Sequence, residues 1–218
     1  MNAGEKQEAL FKLYLIFLRD TNAKIKTCFG EVKTVGLKEE FPKINLTKEK
    51  FDDLECNNDD DKELKKILEK YGIKKGGRFD KADIHINGIF YSLKYMSAGK
   101  PSIINHTTRK GFLRIATQLK IDIKKLDKLV FKYWQLREEG KIKEDCGNNN
   151  TFSPFKDHKE ILKPYIEYFC FTGTGKEDSK CPADYLLKFK KFNKPSTWKV
   201  YKKSETVDEI WDGLYFCM

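Results

Sequence analysis

Apolar side chains fall in bursts along the chain, and their spacing predicts most of the elements. In residues 5–19, EKQEALFKLYLIFLR, apolar positions occupy nearly every side of a helical wheel, which predicts a helix buried on much of its circumference. An irregular stretch is expected from there to about residue 58. NNDDDKELKKILEKYGI then predicts a helix over 60–72: Leu64, Ile67, Leu68 and Tyr71 form one stripe, Asn58 to Asp60 offer caps, and acidic residues fill the first turn. KKGGRFDK is a glycine break. MSAGKPSIINHTTRKG reads as a polar loop leading into a helix from about Thr108 to Leu119. A further helix from Asp122 to about Glu139 sets Leu126, Leu129, Val130 and Tyr133 at core spacing, and EDCGNNNTFSPF breaks it. The last third mixes short helices with strand-like aromatic runs. No internal repeat or low-complexity linker interrupts the chain.

Between the glycine break and the polar loop the period changes from helical to alternating. In RFDKADIHINGIFYSLKYMS, Asn87-Gly88 is the strongest short-range signal for a two-residue type I′ turn, because both residues tolerate positive φ. That turn makes residues whose numbers sum to about 175 face each other, as alternation requires. Ile86 meets Ile89, Ile84 meets Tyr91 and Ala82 meets Leu93, so one face of the hairpin 82–95 is apolar and belongs on a core. The other face sets Asp83 across from Ser92, with Lys94 one diagonal step away and His85 and Phe90 beside them.

The 218 residues suffice for one domain with its own core, and a single domain over 1–218 is the expectation. A net charge of +10 points to a polyanionic partner, of which nucleic acid is the first to consider. Cys28, Cys56, Cys146, Cys170, Cys181 and Cys217 make neither a CxxC pair nor a ladder of close spacings, as reduced cytoplasmic thiols would not. The apolar run Leu13 to Leu18 is too short to span a bilayer, and Glu5 and Glu8 precede it where an export signal would be basic. No membrane association is expected.

An Asp opening one strand, a tight turn, and an acid-x-Lys triplet in the next strand form the signature of the PD-(D/E)xK nuclease superfamily, which includes most type II restriction endonucleases. KADIHING followed by YSLK resembles that signature, and the passage to HTTRKGF is similar to the stretch in such enzymes where the strand leads to a DNA-contacting loop and a core helix. The resemblance implies an α/β fold with a restriction-endonuclease-like central mixed sheet flanked by helices. It also implies Mg²⁺-dependent, sequence-specific cleavage of double-stranded DNA, no organic cofactor, and a homodimer for palindromic sites. Asp83 becomes the metal-binding carboxylate, Lys94 the catalytic lysine, and Ser92 the position where the family carries Asp or Glu. Some members lacking that acid recruit a carboxylate from a nearby helix. Glu63 is the first candidate, since its helix directly precedes the hairpin; Glu69 points away from it. Asp80, better suited to ending the glycine turn, and Glu8 on the first helix are the others. In the following loop Asn105, His106, Thr107, Thr108, Arg109 and Lys110 can all hydrogen-bond phosphate or a base edge, and Thr107 or Thr108 can cap the next helix as well.

Other constellations compete. GEVK supplies Glu31 and Lys33 as an ExK with Asp20 upstream, but without a tight turn between them. GIFYSLKY holds only half of a GIY-YIG motif. GTGK at 173–176 lacks phosphate-loop spacing and reads as a glycine turn, GNNN at 147–150 offers Asn amides that can read adenines but reads first as a flexible solvent loop, and His85 and His158 have no partner at a metal spacing. Two further functions stay open: a non-catalytic DNA-binding protein with a decayed nuclease site, for which Ser92 argues, and a repair or phage-type nuclease of low sequence preference.

Overall fold

A computed structural model of the chain describes residues 1–218 except 24, 57–60, 78, 97–102, 105–106 and 218, and leaves the Cys56 side chain undescribed. In chain order the elements are α1 (Ala3–Asp20), β1 (Val35–Gly36), α2 (Lys48–Cys56), α3 (Asp61–Lys70), β2 (Ile84–Ile86), β3 (Ile89–Tyr95), α4 (Arg109–Leu119), α5 (Ile123–Glu138), β4 (Cys146–Gly147), α6 (Lys159–Glu167), β5 (Tyr185–Phe189), β6 (Lys199–Lys202), α7 (Lys203–Ile210) and β7 (Tyr215–Phe216). The fold is α/β, with a mixed five-stranded sheet flanked by helices, and the chain divides into two compact units.

The first unit, residues 1–102 with 179–201, contains the five-stranded sheet in the order β1-β2-β3-β5-β6. The β1–β2 and β2–β3 pairs are antiparallel and β3–β5 is parallel. α1 begins at a capping box: the Asn2 side chain accepts from the Glu5 amide at 2.8 Å, and the Glu5 carboxylate accepts from the Asn2 amide at 3.2 Å. Ala9 through Ile16 are buried without interruption, as the all-round apolar pattern requires. Phe11, Tyr14 and Phe17 of α1 form an aromatic cluster with Phe51, Phe189, Phe192 and Trp198, and Ile84, Ile86, Tyr91 and Leu93 of the hairpin join the same core.

Asn87 at φ 52° and Gly88 at φ 80° form the expected positive-φ turn, and three pairs keep the expected register: Ile86 with Ile89, His85 with Phe90, Ile84 with Tyr91. Asn87 also fastens the GEVK segment, accepting from the Lys33 and Thr34 amides at 2.8 and 3.2 Å and donating to the Glu31 carbonyl at 2.8 Å. Past Ile84 the ladder departs from expectation. The Asp83 amide donates to the Tyr91 carbonyl at 2.9 Å, so Asp83 and Ile84 both oppose Tyr91 in the manner of a β-bulge. Ala82 turns instead to the Cys181 carbonyl, 2.9 Å away, so the expected Ala82–Leu93 and Asp83–Ser92 pairs are not made.

The expected irregular stretch before residue 58 contains α2, which buries Phe51 and Leu54. The helix expected at 60–72 runs over Asp61–Lys70; its proposed caps Asn58 to Asp60 lie outside the described residues.

The second unit, residues 103–178 with 202–218, holds α4, α5, α6, α7 and the two-stranded β4–β7 sheet. α4 and α5 fall where expected, Thr108 and Asp122 being their N-caps, and the Asp122 carboxylate accepts from the Lys124 amide at 2.9 Å. GTGK is a glycine turn, bridged between Gly173 and Asp178. Its Gly175 lies so close to Gly111 of α4 that a Cβ on Gly111 would sit 3.0 Å from the Gly175 Cα. GNNN is only in part a solvent loop: Gly147 pairs with Tyr215 of β7 and Asn148, 1% exposed, donates to the Trp211 carbonyl at 2.9 Å, while Asn149 is exposed.

Candidate functional site

The bulge governs where the Asp83 carboxylate goes. Its Oδ2 accepts from the Leu93 amide at 2.8 Å, a bond that the regular ladder would have given to a carbonyl. The glycine break makes room beside it, since a Cβ on Gly76 would come 3.0 Å from the Ala82 carbonyl oxygen and 3.8 Å from Asp83 Oδ1. Asp83 is thereby fixed at the mouth of the hairpin, within electrostatic reach of α1.

α1 presents two charged residues there, one helical turn apart. Glu8 is half-buried, and its pKa is pushed up to about 7, first by burial and then by the negative charge of Asp83; Lys94, Lys12 and Lys75 pull it back. Lys12 is 4% exposed and donates to the Lys74 carbonyl at 3.2 Å. Burial lowers its pKa, while Asp83 and Glu8 act in the opposite direction. The Lys74 carbonyl gives the buried ammonium a hydrogen bond, and Asp83 and Glu8 offset part of the cost of its burial. Lys75, at the edge of the group, pairs with Glu5 at 2.7 Å, and that bond raises its pKa. Glu8, Lys12, Lys75, Asp83 and Lys94 therefore form one coupled charge cluster.

Of the residues named from the sequence, Asp83 and Lys94 enter this cluster, and so does Glu8, the third-ranked source of a second carboxylate. Glu63 does not join them: it lies half exposed on α3, in an ion pair with Lys50. Asp80 ends the glycine turn, accepting from the Gly77 amide at 2.9 Å, with Lys38 3.8 Å away. Ser92 is 3% exposed and stands beside Leu186 of the parallel neighbour β5. Lys94 stands beside Lys188 in the same pairing, which sets two cations on adjacent strands. The rival Asp20 serves structure, bound to Arg19 at 2.8 Å and to the Ile44 amide at 2.8 Å, while Glu31 and Lys33 are exposed.

The loop residues belong to the second unit. Asn105 and His106 lie outside the described residues. Thr107 is partly buried, and its methyl group lies where a Cβ on Gly175 would come within 2.7 Å. Thr108 caps α4 by backbone position without a side-chain bond. Arg109 grips Asp127 of α5 with both arms of its guanidinium, at 2.9 and 2.7 Å, and Lys110 is exposed. His85 is half-buried against Phe90, and burial lowers its pKa; His158 sits at the start of α6, 3.7 Å from Glu160.

Sequence reasoning passed over Lys12. Its signal was nonetheless present: a single cation inside the apolar run ALFKLYLIFL, four residues after Glu8 and on the same helical face. Among the described residues no group of three or more His, Cys, Asp or Glu side chains stands at metal-holding distances. Glu8 and Asp83 nonetheless suit Mg²⁺, a hard cation that takes one or two protein carboxylates and fills its other positions with water and substrate phosphate. Burial first, and the neighbouring charge of Asp83 second, disfavour a charged Glu8, and a cation held between the two carboxylates would favour the charged form.

The chain matches no family model, no curated protein and no solved structure. Among the described residues no helix is long and apolar enough to cross a membrane.

Proposed function

We propose that this protein is a magnesium-dependent endonuclease of double-stranded DNA, of the type II restriction kind, built on a restriction-endonuclease-like sheet. The observation that supports the reading is that Asp83 and Lys94 lie within electrostatic reach of Glu8, which would give from a helix the second carboxylate that Ser92 does not. Asp83 and Glu8 would hold the ion. Bound there, Mg²⁺ supplies Lewis acidity toward the scissile phosphate and toward an attacking water. Lys94 contributes a fixed positive charge where negative charge develops on the phosphate, and Lys188 on the next strand adds to the attraction for a polyanion. Lys12 holds Glu8 and Asp83 together when their charges would otherwise push them apart. The loop 105–110 is assigned to DNA contact, and a homodimer to the reading of palindromic sites in a cytoplasmic setting.

A decayed, non-catalytic DNA-binding protein is the second reading, favoured by the burial of Ser92 at the position of the family's acid. Plasmid digestion with and without Mg²⁺ tests both. Discrete fragments that require Mg²⁺ support the restriction reading, a Mg²⁺-dependent smear supports a nuclease of low sequence preference, and intact plasmid at every metal concentration favours the decayed site.

A further inference from the structure

α5 has two faces of different character. Leu126, Leu129, Tyr133 and Leu136 are buried and anchor the helix in its unit. Outward it shows a row of Lys124, Lys128 and Lys132, all exposed, and along one side of that row Phe131 at 66% exposure and Trp134 at 43%. Phe131 and Trp134 are three residues apart, hence neighbours on the helix surface. The guanidinium of Arg137 lies 5.0 Å from the centre of the Trp134 ring and adds a further cation. The acid of the first two turns, Asp127, is already engaged by Arg109. Glu138 is exposed one turn from Trp134, and Arg137 also has Glu144 at 4.0 Å, so the excess positive charge is the lysine row that runs beside the two exposed rings.

We propose that this face of α5 binds an unpaired nucleic-acid strand, with bases stacked on Phe131 and Trp134 and phosphates neutralised by Lys124, Lys128 and Lys132. Three physical arguments select this occupant. The aromatic rings offer flat surfaces that every base can stack on, while the lysines match a phosphate backbone; that pairing of stacking platform and basic groove is how single strands are held. A membrane-lying helix needs a continuous apolar face, and the apolar face of α5 is buried within its own unit. The core of a protein–protein interface is depleted in lysine, whereas a row of three exposed lysines runs along this face beside the rings. The inference is independent of the nuclease reading, since it involves neither the hairpin nor α1.

Trp134 provides the readout. The other two tryptophans, Trp198 and Trp211, are 5% and 6% exposed, so quenching by a stacked base reports on Trp134. A short oligothymidylate is titrated into Asp83→Asn protein without divalent metal, followed by tryptophan fluorescence at several salt concentrations. The proposal expects saturable quenching that weakens with salt, and tighter binding of the single strand than of a blunt duplex or of heparin, which has no bases. Phe131→Ala and Trp134→Ala should each weaken oligothymidylate binding, measured by anisotropy of a labelled strand, by roughly 5- to 100-fold. Trp134→Phe should abolish the quenching and retain most of the binding. Unchanged anisotropy affinity in the Phe131→Ala and Trp134→Ala proteins overturns the proposal, as does preferential binding to heparin, to the duplex or to anionic phosphatidylserine vesicles. Lys128→Glu serves as an independent check, because an exposed residue of this kind leaves the buried face untouched; equal salt dependence in this variant and the parent also counts against it.

Discussion

Helices α1 and α3 each carry a glutamate that the sequence puts forward as a partner for Asp83, and the two differ in what surrounds the carboxylate. Glu63 of α3 is nearer Asp83 in sequence, but it is half exposed and its charge is met by Lys50 at the surface. Glu8 of α1 is 75 residues before Asp83 by sequence number, yet it is half-buried and its protonation responds to Asp83, Lys94 and Lys12. An exposed carboxylate with its own lysine has no electrostatic demand left to satisfy. A partly buried carboxylate near another is only partly compensated by Lys94, Lys12 and Lys75, and a divalent cation would favour its charged form further.

The largest effect that separates the two helices is on cleavage. Glu8→Gln and Asp83→Asn should each lower the rate of Mg²⁺-dependent plasmid cleavage by ~10²-fold or more, the scale of losing one electrostatic contributor in an active site. Glu63→Gln should stay within about twofold of the parent, as expected of a solvent-exposed pair. Equal losses at Glu8 and Glu63 would erase the distinction.

A smaller effect, independent of any substrate, lies in the pH dependence of stability. The folded-state pKa of Glu8, about 7, stands above its ordinary value of 4.5, so the folded protein binds more protons than the unfolded chain between those values. Stability associated with Glu8 is thus fully present below about pH 4.5 and is lost as the pH rises through about 7. Glu8→Gln, neutral throughout, should raise the melting temperature more at pH 8 than at pH 5, whereas Glu63→Gln should show no such divergence. Thermal melts at the two pH values decide it, and a Glu8→Gln gain that is equal at both would remove the raised pKa from the account.

Much of this architecture could be read from residue order, because the relevant physics is local. Asn87-Gly88 dictates the hairpin turn, and the unbroken apolar run of α1 dictates its burial. The bulge at Asp83 escaped, since alternation assumes an unbroken pleat and nothing in KADIHI marks the extra residue; only the Cys181 carbonyl, about a hundred positions on, draws Ala82 away. α2 escaped because Phe51 and Leu54 are its only large apolar residues, too few to display a period. The choice of Glu8 over Glu63 depends on which face of α1 packs on the sheet, a long-range outcome that proximity in sequence does not encode. GNNN was partly misjudged, for a related reason: its polarity suggested solvent, but Asn148 satisfies backbone groups inside the unit.

The smallest effect concerns the loop before α4. Arg109 is 61% exposed at its side chain and pairs with Asp127 at the surface, so Arg109→Ala should leave the melting temperature nearly unchanged. With its guanidinium held by Asp127, its removal should change duplex affinity less than removal of Lys110, whose loss should make the slope of log affinity against log salt shallower by ~1. Binding isotherms on one duplex at several salt concentrations rank the two; a larger change from Arg109→Ala would mean that the guanidinium exchanges Asp127 for phosphate.

The central claim is that α1 and the hairpin build one divalent-cation site. Isothermal titration of Mg²⁺ at pH 8 into the parent protein and its Glu8→Gln, Asp83→Asn and Glu63→Gln variants tests it without any need for a recognition sequence. The account predicts saturable binding in the parent and in Glu63→Gln, and its loss in both Glu8→Gln and Asp83→Asn. Binding that survives in Glu8→Gln and disappears in Glu63→Gln, or a parent protein that takes up no Mg²⁺, would contradict it.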